Sequence, residues 1–234
     1  MERLVLDKLE PCPYLPERMA RMPLRWQTRR LTGEEADLSF ARGERRVGPM
    51  LYRTACPECS ACTPIRIPTA RLEHSRSLRK VWKRNQDLQI QCGPAAFSGE
   101  RLELFNRHRL ERSLSTEPLD PQSYRAWFLT TCLETTEIRY LDGGRLVGLS
   151  ILDIGATAAS SVYHCFDPTQ SERSLGTFSV LAEAAWCQER GLDWYYLGLY
   201  VAECRHLVYK ARFKPHERLI GGTWLPDASE TPSP

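Results

Sequence analysis

The 234-residue sequence has no run approaching the ~20 continuous apolar residues that a membrane span requires, so no membrane partner is expected. Excess charge is also small. Lys and Arg total 32 against 29 Asp and Glu, and the resulting +3 is too little for net charge alone to argue a polyanion partner. An apolar leader is missing: "MERLVLDKLEPCPYL" places acids and prolines where a signal peptide would need its apolar core, so a cytoplasmic, reducing setting is expected. Disulfides are rare there, and nine cysteines, an odd number, cannot all pair within one chain. No internal repeat is evident. What is present, 42% hydrophobic and 26% charged residues, is the composition of a globular protein rather than a disordered one.

The first 30 residues, rich in proline and arginine, are expected to be irregular. Thr32 with Glu35 three residues on forms a capping box for a short helix, followed by a turn at Gly43 and a strand through Met50–Arg53. "TPIRIPTARL" alternates like a strand, which Pro64 and Pro68 demote to a sheet edge. Helical periods follow over 75–88, 99–112 and 121–133, the last with Pro121 in its first turn. The pattern then changes to a hairpin around Asp142-Gly143-Gly144, a strand at "ASSVYHCFD", a helix at "GTFSVLAEAAWCQERGL" and a strand at "DWYYLGLY". A helix over "AECRHLVYKARF" and a closing strand at "ERLIGGTWL" complete the order, and the tail is expected to be loose. The fold class is α+β. Its element order from about residue 137 is similar to that of the GCN5-related N-acetyltransferase superfamily, with a mixed, mostly antiparallel sheet and flanking helices. Three regions are expected: a Cys-containing region over 1–74, an acyltransferase-like domain over 75–227, and a disordered tail over 228–234.

Several motifs carry chemistry. "CPECSAC" sets Cys56, Cys59 and Cys62 in a C-x2-C-x2-C run, and Cys12 could join them, a pattern suited to zinc, an iron–sulfur cluster or a redox role. No C-x3-C-P follows, which argues against electron transfer. Over 75–88, Arg76, Arg79, Lys80, Lys83 and Arg84 lie at i, i+3, i+4, i+7 and i+8 with no acid among them. Like charges at that spacing repel, so the face calls for an anion, and RNA phosphates fit. "YHCFD" does not make a thiol–imidazole dyad, because His164 and Cys165 would face opposite ways on a strand. "RSLGTFS", with Arg173, Ser174, Gly176 and Thr177, resembles a pyrophosphate loop, but Phe178 stands at its last small position and is expected to crowd a coenzyme A cradle. Tyr196, Tyr200, Arg205, Tyr209, Lys210 and Phe213 could line a cleft, with Arg205, Tyr209 and Phe213 on one helical face.

Together, "PCPYLPERMAR", "YRTACPECSACTPIRIP", "SRSLRKVWKRNQDL", "NRHRLER", "YHCFDP", "RSLGTFSVL" and "YLGLYVAECRHLVYKARFKPHERLIGGTW" resemble, in order, the bacterial aspartate/glutamate leucyltransferases, relatives of the arginyl-tRNA–protein transferases. The resemblance spans about residues 9 to 226. It implies transfer of an aminoacyl group, leucine in the favoured reading, from aminoacyl-tRNA to proteins with N-terminal Asp or Glu, marking them for degradation. The activated ester would need no covalent nucleophile and no cofactor, only alignment, a proton acceptor and an oxyanion donor. In that reading Tyr209 and Lys210 are the catalytic candidates, and Arg205 and Lys210 would bind the acceptor's acidic side chain. Three alternatives stand beside it: arginyl transfer, a coenzyme A-dependent N-acetyltransferase, and a metal-bearing RNA-binding module without catalysis.

Overall fold

The computed structural model describes residues 2–227. Its centre is an eight-stranded sheet in the order β14-β13-β7-β12-β11-β10-β9-β8, with β7 (Thr63–Pro68), β8 (Gln89–Pro94), β9 (Glu134–Asp142), β10 (Arg145–Ile154), β11 (Ala158–Phe166), β12 (Trp194–Tyr200), β13 (Glu217–Ile220) and β14 (Thr223–Pro226). Every neighbouring pair is antiparallel except β11 and β12. The mixed sheet with helices on both faces is the expected α+β architecture. A β11–helix–β12 crossover is what a parallel pair needs.

Alternation along the strands builds two cores. On one face Ile138, Tyr140, Leu152 and Tyr195 pack under α5 (Leu175–Glu189), with Leu78 and Val81 of α2 (Arg76–Arg84) laid against it. On the other, Leu141, Leu149, Ile151 and Cys165 pack against α3 (Gly99–Glu111) and α4 (Pro121–Phe128). Phe105, Tyr124, Phe128 and Tyr163 form a tilted aromatic stack there, with centroids 5.0–5.8 Å apart. The helix starts obey local chemistry. Thr32 and Glu35 make the expected capping box on α1 (Gly33–Ala41), Ser98 caps α3, and Asp120 caps α4 ahead of Pro121.

Several sequence expectations about individual elements are corrected. Residues 2–27 are not irregular: β1 (Glu2–Leu6), β2 (Leu9–Pro11), β3 (Met19–Arg21) and β4 (Leu24–Gln27) pair in two small sheets, β1 and β4 joining β5 (Arg45–Val47) and β6 (Met50–Tyr52). β7 is an interior strand, not an edge, because its prolines stand near its two ends while Ile65 and Ile67 are wholly buried. The 75–88 helix stops at Arg84. Buried Asn85 turns the chain there, donating to the Val81 and Arg173 carbonyls, and β8 follows. The 121–133 helix likewise ends at Phe128. The division expected at residue 74 does not separate two sheets, since β7 lies inside the large one; the 228–234 tail lies outside the described residues. "ERLIGGTWL" forms β13 and β14, joined at Gly221-Gly222, rather than a single strand.

Candidate active site

β11 and β12 pair only over Ala158↔Trp194, Ala159↔Tyr195 and Ser160↔Tyr196. Beyond that point both strands continue unpaired to each other, and a cavity of about 950 Å³ is lined from Ser161, Val162, Tyr163, His164 and Phe166 on one side and Leu197 and Leu199 on the other. Parted strands leave carbonyls to satisfy. Arg45 of β5 donates to the Ser161 and Val162 carbonyls at 2.6 and 3.3 Å, and Lys210 Nζ donates to the Leu199 carbonyl at 2.8 Å. Arg45 reaches that place because Gly198 has no side chain. Gly198 sits at φ +87° in a β12 bulge, and a Cβ there would lie 2.6 Å from the Arg45 guanidinium.

Beneath the cavity lies Glu183, wholly buried on α5. Its carboxylate accepts from Ser150 Oγ at 2.5 Å and Tyr140 Oη at 3.1 Å, and also from the Tyr195 hydroxyl. Burial raises its pKa to about 7 despite those three donors. His164, directly opposite Ser150 across β10 and β11, places Nδ1 2.8 Å from Ser150 Oγ, and its buried Nε2 has no partner. Burial lowers the His164 pKa to about 3, so the ring is neutral. Cys165 points the other way into the aromatic core, as strand alternation requires.

Two of the sequence-selected residues in the "ECRHLVYKARF" segment line the cavity: Lys210 and Tyr209. Burial lowers Lys210 to about 7, with the Arg45 charge adding to the effect, and raises Tyr209 to about 12. Arg205 does not line the cavity. It is exposed, with Nε 3.1 Å from His206 Nε2. The segment is a chain of tight turns ending in a single 3-10 stretch, Val208–Arg212, rather than a helix, so Arg205, Tyr209 and Phe213 do not share a face. Phe213 is wholly buried. Tyr196 is buried too, against Phe40 and Trp224.

The α5 N-terminus, Ser174, Leu175, Gly176 and Thr177, opens into the cavity. Arg173 does not join it: its guanidinium grips Asp87 at 2.8 and 2.9 Å and Asp142 at 3.2 Å. Phe178 does not crowd this loop either. Its ring turns into the core against Trp82 and Tyr140, so the expected steric argument against a phosphate cradle does not hold. Sequence reasoning missed Arg45, His108, Arg112 and Glu183, all lining the cavity. Only Glu183 carried a signal, an acid set inside the apolar helix run "SVLAEAAW".

The basic face of α2 is as the period predicted. Arg76, Arg79, Lys80, Lys83 and Arg84 are all exposed, Leu78 and Val81 are buried, and none of the five forms an ion pair among the described residues. Arg79 donates to the His74 carbonyl and Arg84 to that of Glu172. Trp82 packs on Phe178 at 5.6 Å, so the cationic face and the cavity-lining N-terminus ride on adjoining helices.

Cys12, Cys56, Cys59 and Cys62 are all half-buried free thiols. Cys59 accepts from Arg18 Nη1 at 3.2 Å, and Cys56 from the Arg21 backbone at 3.4 Å. Cys59 is held below its usual pKa by the Ala61 N–H and then by Arg18, whereas burial, reinforced by Cys12, Cys56 and Cys59, pushes Cys62 up to about 12. Among the described residues, no three Cys, His, Asp or Glu side chains converge as a metal ion requires.

Family models described as arginine-tRNA-protein transferase, N terminus and C terminus, match residues 10–80 and 100–220. Curated relatives named aspartate/glutamate leucyltransferase include one from Nitrosococcus oceani, 34% identical over 94% of this chain and 93% of its own. Another, from Hahella chejuensis, is 30% identical over 92% and 93%, and a third, from Methylobacillus flagellatus, is 34% identical over 80% and 77%. Among solved structures, FemX is similar at TM-score 0.46 and 9% identity, covering 70% of this chain and 59% of its own. The C-terminal domain of a putative lysylphosphatidylglycerol synthetase from Agrobacterium fabrum has a TM-score of 0.47 at 11% identity, over 60% and 47%. Matched by both family models and by relatives along nearly its whole length, the chain belongs to the arginine-tRNA-protein transferase family and is an aminoacyltransferase.

Proposed function

We propose that this protein transfers leucine from leucyl-tRNA to the α-amine of proteins beginning with Asp or Glu, marking them for degradation in the cytoplasm. The observation that carries the geometric side is Lys210, a half-buried side chain whose amine is brought to a pKa of about 7 by desolvation, facing a cavity beside an exposed cationic helix. Leucine and the acidic acceptor come from the name shared by the full-length relatives. Nine free thiols support a reducing compartment, and among the described residues no helix is long and apolar enough to cross a membrane.

In this reading Arg76, Arg79, Lys80, Lys83 and Arg84 grip the tRNA phosphates and bring its charged 3′ end to the cavity. The aminoacyl ester is already activated, so the acceptor amine attacks its carbonyl carbon directly. An α-amine with a pKa of about 7.7–8.0 is partly neutral at cellular pH. As the C–N bond forms, the nitrogen gives its proton to neutral Lys210, whose lone pair is free while an Nζ–H remains on the Leu199 carbonyl. Tyr209, kept protonated by burial, donates a hydrogen bond to the oxyanion of the tetrahedral intermediate, and as the ester C–O bond breaks the proton held on Lys210 passes to the departing tRNA 3′ oxygen, restoring the neutral amine. Incubation with radiolabelled leucyl-tRNA and peptides starting Asp, Glu or Arg tests it. Label enters the Asp and Glu peptides; failure to label them, or efficient transfer from arginyl-tRNA instead, overturns the leucyl assignment.

A further inference from the structure

We propose that Arg112 is the residue that reads the side-chain carboxylate of the acceptor, an inference that rests on the transfer reaction above. Arg112 stands at the C-terminal cap of α3, half-buried, with its guanidinium 4.9 Å over the Phe166 ring. Its Nε is buried without a partner, and among the described residues the side chain makes no ion pair or hydrogen bond.

Two of the other cavity cations are tied to carbonyls. Arg45 is held by the Ser161 and Val162 carbonyls and Lys210 by that of Leu199; Arg109, like Arg112, has only ring contacts, over Phe105 and Trp127 at 5.2 and 5.6 Å, but it is Arg112 that has a buried guanidinium nitrogen left without a partner. Glu183 is the one acid lining the cavity among the described residues, and three hydroxyls already occupy it. Arg112 therefore faces the cavity as an uncompensated charge. Burial is the main cause that lowers His108, His164 and His206, and the Arg112 charge adds to it at all three, though they come from α3, β11 and the segment after β12. Its field thus reaches three of the elements that line the cleft in which the α-amine must be placed.

A planar guanidinium with free N–H groups matches a carboxylate in a two-point fork. Phosphates of the donor are the competing anion. They are served by five exposed cations on α2, whereas within the cavity Arg112 is the guanidinium with a buried nitrogen still lacking an acceptor.

The test compares two peptides differing only in Asp or Asn at the N-terminus, on the wild type and on Arg112→Ala, Arg112→Lys and Arg109→Ala, with melting curves to verify folding. Leucylation gives kcat/KM, and fluorescence polarisation without tRNA gives peptide affinity. Arg112→Ala is expected to lose roughly 10- to 100-fold on the Asp peptide and almost nothing on the Asn peptide, the range of a charged hydrogen bond. Arg112→Lys recovers part of the preference, and Arg109→Ala keeps it. Equal losses on both peptides, or a raised KM for leucyl-tRNA with the Asp preference intact, overturn the assignment, the second result placing a phosphate there. A wild type that leucylates neither peptide sinks the transfer reading alone, because polarisation still reports whether Arg112 discriminates Asp from Asn.

Discussion

Replacing Glu183 by Gln tests the buried network directly. The carboxyl titrates near 4.5 in the unfolded chain and at about 7 when folded, because burial disfavours the anion more than Ser150, Tyr140 and Tyr195 favour it. A folded pKa above the unfolded one means that stability is fully present below pH 4.5 and is lost as pH rises through about 7. At about 1.4 kcal/mol per unit, ionisation costs the wild type on the order of 3 kcal/mol by pH 8. Glutamine is nearly isosteric, stays uncharged, and keeps an acceptor for Ser150 and Tyr140. Glu183→Gln should therefore be more stable than the wild type at pH 8 by up to roughly 3 kcal/mol, about 6–12 °C in melting temperature for a chain of this size. Near pH 4 the two should melt together. Reversible thermal unfolding by circular dichroism at both pH values decides it. A variant that melts lower at pH 8, or is shifted equally at both, would show that the ionised carboxylate is not the costly species.

Three further outcomes follow from the site. Lys210→Met should lower kcat by roughly 100-fold and remove the rise in rate through about pH 7, since a depressed Lys210 acts as a base only above its pKa; a retained limb at that pH assigns the proton elsewhere. Lys80→Gln with Lys83→Gln should weaken tRNA binding and flatten the plot of log affinity against log salt by about 0.7–0.9 per lost phosphate contact; an unchanged slope moves the RNA off α2. Iodoacetamide at neutral pH should label Cys59, whose thiolate Ala61 N–H and Arg18 favour, well before Cys62, as read by peptide mass spectrometry; the reverse order would show that those two contacts do not set reactivity.

What could be read from the sequence was local. The capping box of Thr32 and Glu35, Pro121 in the first turn of α4, the glycine turn between β9 and β10, and the apolar run of α5 each depend on a few adjacent residues. The cationic face of α2 followed from period alone. Strands of three to five residues near prolines carried too little pattern to register, which hid the two small N-terminal sheets. The "ECRHLVYKARF" segment has helical spacing, yet burial of Phe213 and the pull of Lys210 toward the Leu199 carbonyl fold it into turns. The cavity itself was invisible, because it exists only where β11 and β12 part and where Arg45, 116 residues away from Ser161, fills the gap between them.

The position of β7 sets the order in which this chain can become a protein. Its Arg66 meets Tyr196 and Glu217, 130 and 151 residues later, so the strand emerges from the ribosome long before either neighbour exists. Until then Ile65 and Ile67 have no sheet to enter, and closing such long loops is slow. A fragment spanning 100–220 would lack the strand that joins β12 to β13, leaving the wall that holds Lys210 without its support. The two sequence halves are thus stitched into one object, and neither is expected to work when made alone.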